Sequence, residues 1–258
     1  MPATDLDMAE RHRRILELAR QAGSVSVERL AGDLGVTPQT IRKDLNLLAR
    51  RSMLSRVHGG AVITSGVDNI AYDTRRLVAA ETKSAIGAAA AALIPDGASL
   101  FINIGTTTEA VARHLVHHGN LLLISNNLNV ADMMAPFRSI ETVVVGGRVR
   151  HDDRAVVGPL AVEFIRNFKV DFAVIGASAL DLDGAFLDFD INEVEVARTI
   201  IRHARQVILV VDSSKIGRPA PVRIGDLTDL DYIVIDQIAD QSLLDACLAA
   251  GVKVVKAG

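Results

Sequence analysis

Seven short apolar runs, at residues 99–103, 121–125, 140–145, 172–175, 207–211, 232–235 and 252–255, constrain the fold of this chain more than any other feature. Between most of them lie stretches with helical periodicity, at 107–117, 128–134, 159–167, 193–203 and 241–250. Near-continuous apolar strands are covered on both faces, and their alternation with helices predicts a mostly parallel α/β sheet. In such sheets a ligand binds beyond the carboxyl ends of the strands, so the residues after each run matter most.

Those residues are rich in polar and glycine chemistry. The first run leads through Asn103-Ile104-Gly105-Thr106-Thr107-Thr108-Glu109 directly into a helix. Gly105 lets the backbone approach a ligand, three hydroxyls follow, and a helix start offers free amides, which together suit a phosphate. A threonine-capped helix with no ligand is the competing reading. The next ends carry Ser125-Asn126-Asn127, Gly146-Gly147-Arg148, Gly176-Ala177-Ser178 and Asp212-Ser213-Ser214-Lys215. Five such ends predict one pocket for a small phosphorylated polyol rather than five unrelated turns. The expected effector-binding residues are Gly105, Thr106, Thr107, Thr108, Asn126, Asn127, Gly147, Arg148, Gly176, Glu193 and Lys215. Glu193 is read as a helix cap that also faces the ligand.

Cofactor and metal signals are absent from the sequence. There is no G-x-G-x-x-G and no Gly-Lys pair of a nucleotide loop, so no cofactor is expected. Asp181, Asp183, Asp188, Asp190, Glu193 and Glu195 form an acidic cluster without a histidine, which reads as solvated acids and caps rather than a metal site. The histidines at 12, 58, 114, 117, 118, 151 and 203 show no ligand spacing.

The first sixty residues have a different character. Helical periodicity spans 9–22, then 27–34 with Ser26 as cap and Gly35 as stop, then 37–50. In the third helix Thr37 suits the cap and Pro38 the first helical position, where no N–H is needed. Ile41, Leu45 and Leu48 recur at helical spacing and face inward. Thr37, Gln39, Thr40, Arg42, Lys43 and Asn46 remain for DNA, with Arg42 or Lys43 on guanine or phosphate and Gln39 or Thr40 at base edges. Residues 53–62, with Gly59-Gly60, read as a wing from which Arg56 and His58 reach phosphates. A small helical protein-interaction domain is the alternative. Charge favours DNA: residues 1–60 hold ten Lys and Arg against seven Asp and Glu, whereas the remainder holds eighteen against twenty-four. A basic head on an acidic body is the expected arrangement. The domains expected are 1–62, a linker over 63–79, and 80–258, opening on an alanine-rich helix.

No uncharged apolar run approaches the ~20 residues needed to cross a bilayer. Residues 1–10 are polar and acidic, unlike a secretory signal. Cys247 is alone, which excludes an intrachain disulfide and suits a small buried hydrophobe. A cytoplasmic setting without a membrane partner is expected.

These motifs resemble the DeoR family of bacterial transcriptional regulators over nearly the whole chain. Val36-Thr37-Pro38-Gln39-Thr40-Ile41-Arg42-Lys43-Asp44-Leu45 and His58-Gly59-Gly60-Ala61 resemble the family's DNA-reading part. Ile104-Gly105-Thr106-Thr107, Asn126-Asn127, Gly146-Gly147 and Val211-Asp212-Ser213-Ser214-Lys215 resemble its sugar-phosphate sensor. Leu100-Phe101-Ile102-Asn103, Ser125-Asn126-Asn127-Leu128-Asn129-Val130-Ala131, and Phe189-Asp190 before Glu193-Val194 resemble the branch that represses glycerol-3-phosphate regulons. Ile191-Asn192 stands where that branch carries a Tyr-His pair. The resemblance implies a winged helix-turn-helix domain followed by a sensor domain like ribose-5-phosphate isomerase. It implies a homo-oligomeric repressor on double-stranded operator DNA, answering to glycerol 3-phosphate. The isomerase places acids beside a Gly-Ala pair after its fourth strand. Here Gly176-Ala177 is flanked by Ile175 and Ser178, which cannot shuttle a proton unaided. Binding without turnover is expected, and an isomerase-like enzyme with an accessory helical domain is the rival reading.

Overall fold

A computed structural model describes residues 8–22, 24–50, 54–57, 60–62, 72, 75 and 79–258. The chain divides into two compact units, Met1–Arg75 and Arg76–Gly258.

In the first unit α1 (Met8–Ala22), α2 (Val27–Leu34) and α3 (Pro38–Arg50) surround one core. Ile15, Ala19, Leu30, Ile41, Leu45, Leu48 and Leu54 are buried in it. Ser26 caps α2 by accepting from the Arg29 amide at 3.2 Å. Gly35, at φ 66°, adopts the left-handed conformation that ends it, one that costs a residue without Cβ little. The wing expected over 53–62 contains β2 (Ser55–Val57) and β3 (Gly60–Val62) in antiparallel pairing. A third strand, β1 (Ser24–Ser26), pairs with β3 and was not legible in the sequence. Three residues are too few to show an alternating pattern.

The second unit opens on α4 (Ala80–Ala91) and then alternates strand and helix. The strands are β4 (Ser99–Ile102), β5 (Leu121–Ser125), β6 (Ile140–Val144), β9 (Val170–Gly176), β12 (Ala204–Val210), β14 (Tyr232–Ile235) and β15 (Lys253–Lys256). They form one sheet in the order β15-β14-β12-β9-β4-β5-β6, with parallel pairing at every step. The seven apolar runs are these seven strands. Helices α4, α5 (Thr106–His114) and α6 (Leu128–Met134) cover one face with Ile86, Val111 and Met134. Helices α7 (Pro159–Ile165), α8 (Ile191–Arg202) and α9 (Gln241–Ala249) cover the other with Ile165, Val194 and Leu243. Cys247 sits buried in that second layer.

The alanine-rich helix packs against α5 as well as the sheet. A Cβ on Gly87 would lie 2.6 Å from the Ala110 carbonyl carbon, so the two helix backbones touch there. The sequence also hid two small sheets, the hairpin β7 (Arg148–Arg150) with β8 (Ala155–Val157), and β10 (Ala179–Leu180) with β11 (Phe186–Asp188) and β13 (Val222–Gly225). Strand order reverses at β4, which is followed on one side by β5 and bounded on the other by β9. In an open α/β sheet such a reversal, here between β4 and β9, is where a ligand crevice is expected at the carboxyl ends of the strands.

Candidate functional site

At the reversal of strand order lie 103–105 after β4 and 176–178 at the end of β9. Gly105 has φ 137° and starts α5 with no side-chain cap. The first amides of a helix have no intrahelical partner, so this start exposes donors and the positive end of the helix dipole. Thr106 is half-buried and Thr107 is buried. Thr108 does not offer an open hydroxyl. Its Oγ1 donates to the Asn103 carbonyl at 2.7 Å and to the Gly105 carbonyl at 2.8 Å, closing the loop from within. Gly176 sits against it, since a Cβ there would lie 3.4 Å from Thr108 Cγ2 and 3.6 Å from the Ile104 oxygen.

The two asparagines after β5 divide their work. Asn127 is committed to the protein: its Oδ1 accepts from the Asn129 amide at 2.9 Å as the α6 cap, and its Nδ2 donates to Glu109 at 3.0 Å. Asn126 donates through Nδ2 to the Val156 carbonyl at 3.2 Å, and its Oδ1 has no partner. Glu109, buried at the start of α5, also accepts from Asn129 at 3.1 Å. It was not singled out in the sequence, where a glutamate in a first helical turn looks like surface.

Gly147 approaches protein rather than ligand. With φ 154°, its missing Cβ would stand 2.9 Å from Val156 Cγ1 and 3.3 Å from the Ala161 amide. Arg148 is exposed at the start of β7. Lys215 ends a 3-10 turn, Ser213–Lys215, after β12. Asp212 caps that turn and Asp236 anchors it, accepting from the Ser213 amide at 2.7 Å. The Gly217 amide donates to Leu180 at 2.8 Å, which ties the turn beside the chain leaving β9.

Glu193 is buried in the first turn of α8, but Asp190 is the cap, accepting from the Asn192 amide at 2.9 Å. Arg150 organises this corner. It donates to Asp153 at 2.9 and 2.6 Å, to Asp190 at 2.6 Å and to Glu193 at 2.6 Å, binding the β7–β8 hairpin to the start of α8. Burial, reinforced by the charge of Asp188, pushes the Glu193 carboxyl up to about 8 despite Arg150. For Asp190 burial pulls upward, yet hydrogen bonds from Asn192 and Arg150 win and hold its carboxyl below the usual range. Among the described residues no cluster of His, Cys, Asp and Glu could hold a metal ion. Beside this corner, a groove between α7 and α8 is lined by Pro159, Glu163, Arg166, Ile191, Asn192 and Glu195, with none of the expected effector residues.

In the first unit Thr37 Oγ1 accepts from the Thr40 amide at 3.1 Å and meets the Thr40 hydroxyl at 2.9 Å, which shapes the start of α3. Gln39, Arg42, Lys43 and Asn46 are exposed. Their spacing of three, four and seven puts them on one stripe of the helix. Ile41, Leu45 and Leu48 are fully buried behind it. Arg42 also lies 3.9 Å from Glu28 across an exposed edge. Asp44, unremarked in the sequence, is buried and accepts from Arg11 Nε at 2.6 Å and from Arg11 Nη2 at 3.2 Å, with His12 Nε2 at 3.0 Å. Burial raises its carboxyl, but those two partners outweigh it and hold it low. The side chain of Arg56 and the whole of His58 lie outside the described residues, as does most of 63–79.

Residues 11–67 match the DeoR-like helix-turn-helix domain, and residues 78–237 match the DeoR C terminal sensor domain. The chain belongs to the DeoR family. Among its relatives are the glycerol-3-phosphate regulon repressors of Haemophilus influenzae, 44% identical, and Escherichia coli K12, 42% identical. The alignments cover 89% and 90% of this chain and 90% and 92% of those proteins. The E. coli repressor CsqR is 37% identical over 94% of this chain and 93% of its own. A ribose 5-phosphate isomerase A from Methanocaldococcus jannaschii aligns over 54% of this chain and 55% of that one, at TM-score 0.40 and 15% identity, too distant to carry function.

As a DeoR-type transcriptional repressor the chain binds DNA through its helix-turn-helix and is not an enzyme. Ile175, in β9, is fully buried among apolar side chains. No helix among the described residues is long and apolar enough to cross a membrane.

Proposed function

We propose that this repressor is controlled by a small phosphorylated polyol, glycerol 3-phosphate, bound at the carboxyl ends of β4, β5, β9 and β12. The observation that carries the reading is the uncapped start of α5 at Gly105, beside the reversal of strand order. Its amides suit a dianionic phosphate, with Thr106 and Thr107 adjoining and Lys215 supplying positive charge. The names of the relatives at 44% and 42% identity support the choice of ligand.

The DNA contacts belong to the Gln39, Arg42, Lys43 and Asn46 stripe, flanked by Thr37 and Thr40, with Arg56 and His58 on the wing. One such module makes few phosphate contacts, so a homo-oligomer on repeated half-sites is the form that binds tightly. The division into 1–62, a 63–79 linker and 80–258 fits a separate reading head and sensor. The effector shifts the repressor between two arrangements by its differential affinity for them.

A footprint on the DNA upstream of the chain's own gene, titrated with glycerol 3-phosphate, fructose 1-phosphate and ribose 5-phosphate, tests this. Protection that changes with glycerol 3-phosphate at lower concentration than with the other two is expected. Protection indifferent to all three would overturn the reading.

A further inference from the structure

Two buried side-chain oxygens beside the reversal of strand order have no hydrogen-bond partner. Asn103 follows β4 and is 2% exposed, Asn126 follows β5 and is 0% exposed, and the Oδ1 of each is unpartnered. Native chains rarely bury an acceptor and leave it unmade, because the lost hydration is not recovered. Both atoms therefore mark where something else donates.

Their placement narrows what that is. Ile102 stands opposite Ser125 in the β4–β5 ladder, so one step further Asn103 stands beside Asn126. The Asn103 amide still donates to the Val174 carbonyl at 3.0 Å, which continues the sheet past the end of β4. Phe101 and Ile124, two residues back on each strand, lie in the α7–α8 layer. Strand periodicity then puts both asparagines on that same face. The Nδ2 of Asn126 is spent on Val156, so the oxygen is the side-chain atom left without a partner. Two adjacent acceptors repel an anion and call for hydroxyl or ammonium donors. Gly105, with the uncapped amides, is two residues from Asn103, within about 7 Å of chain. Anion-binding donors and hydroxyl-binding acceptors thus lie a short molecule's length apart.

We propose that Asn103 Oδ1 and Asn126 Oδ1 accept hydrogen bonds from neighbouring hydroxyls at the phosphate-free end of the effector. They thereby select a polyol phosphate over a phosphate ester without hydroxyls. This rests on the phosphate-sensor reading above and assigns the other half of the same pocket. Of the pair, Asn103 was not singled out in the sequence, where it reads as the last residue of a strand.

The test compares n-propyl phosphate, inorganic phosphate and glycerol 3-phosphate on the full chain by calorimetry, since the protein has no tryptophan to report binding. The unsubstituted chain binds glycerol 3-phosphate about ten- to a hundred-fold more tightly than n-propyl phosphate, as lost hydrogen bonds to buried acceptors require. Asn103→Leu, of similar shape, collapses that ratio toward one and leaves inorganic phosphate binding unchanged. The same variant leaves the ligand-free melting temperature equal or higher, because an unpaired acceptor is replaced by an apolar group. A purely structural asparagine would give the reverse, a lower melting temperature and an unaltered ratio. Equal affinity of the unsubstituted chain for the two esters, a result independent of any variant's folding, overturns this proposal alone. No binding of any of the three phosphates overturns the sensor reading and this proposal with it.

Discussion

Arg11 grips Asp44 with two nitrogens, at 2.6 and 3.2 Å, from one helix of the DNA-binding unit to the buried side of another. The exposed stripe of α3 faces outward, so its attitude is set from behind by this contact and by His12. Removing the buried carboxylate takes away the acceptor that Arg11 and His12 share at the back of α3, and breaking a desolvated pair costs far more than a surface pair is worth. Asp44→Ala is expected to destabilise the first unit by about 2–4 kcal/mol and to abolish operator binding without touching an exposed residue. Chemical denaturation beside a gel-shift assay checks both. An unchanged midpoint would show that the clamp holds nothing.

Glu193 gives the sensor a pH dependence whose sign is fixed by burial. Its folded carboxyl titrates near 8 and an unfolded one near 4.5. Between those values the folded state binds the extra proton, so this group's stabilisation is complete below 4.5 and is lost as pH rises toward 8. The melting temperature of the full chain is expected to fall across that window, and Glu193→Gln to flatten the fall. Scanning calorimetry at half-unit intervals provides the curves, and parallel curves for the two proteins would contradict the assignment.

Within the α3 stripe the two kinds of contact separate by salt. Lys43→Ala is expected to weaken binding to all sequences alike and to lower the slope of log affinity against log salt by about 1. Gln39→Ala is expected to keep that slope and to relax preference at one base pair, by about 1–3 kcal/mol. Affinities for a set of operator variants at several salt concentrations distinguish these outcomes.

Gly87 reverses the usual rule for a glycine within a helix. Alanine there ordinarily stabilises by about 1 kcal/mol. Here the added carbon would sit 2.6 Å from the Ala110 carbonyl, so Gly87→Ala is expected to destabilise by about 1–3 kcal/mol through overpacking. Thermal unfolding decides the sign directly.

What could be read ahead from residues alone followed the physics of each signal. The seven strands were legible because parallel strands buried on both faces are apolar throughout, and the α3 stripe because helical spacing separates Ile41, Leu45 and Leu48 from the polar positions. The strand-end loops were legible as a group, but not the direction of each side chain. Thr108 and Asn127 have the composition of ligand contacts and spend their polar atoms on the protein. From the sequence Glu193 reads as a cap that also faces the ligand, but Asp190, three residues earlier, is the cap. The β7–β8 hairpin was missed because its strands are three residues long and β7 is largely exposed. Asp44, Glu109 and Arg150 carry charge, and charge reads as surface until a partner from a distant segment is known. Arg150 and Glu193 are 43 residues apart, beyond any local pattern.

The middle of the sheet has a history as well as a geometry. Ser99 at the start of β4 bonds to Asp171 on β9, 72 residues later. Parallel strands cannot pair until the intervening crossovers exist, and pairings between distant segments set a slow pace for acquiring structure. During synthesis β4 therefore waits for β9 to emerge, with the backbone N–H and C=O groups of one edge unpaired, while the helices of the first unit need only near neighbours. The β4 edge that meets β9 thus stays open across some seventy residues of the newborn chain, so substitutions that slow its closure would reduce yield in the cell before they altered regulation.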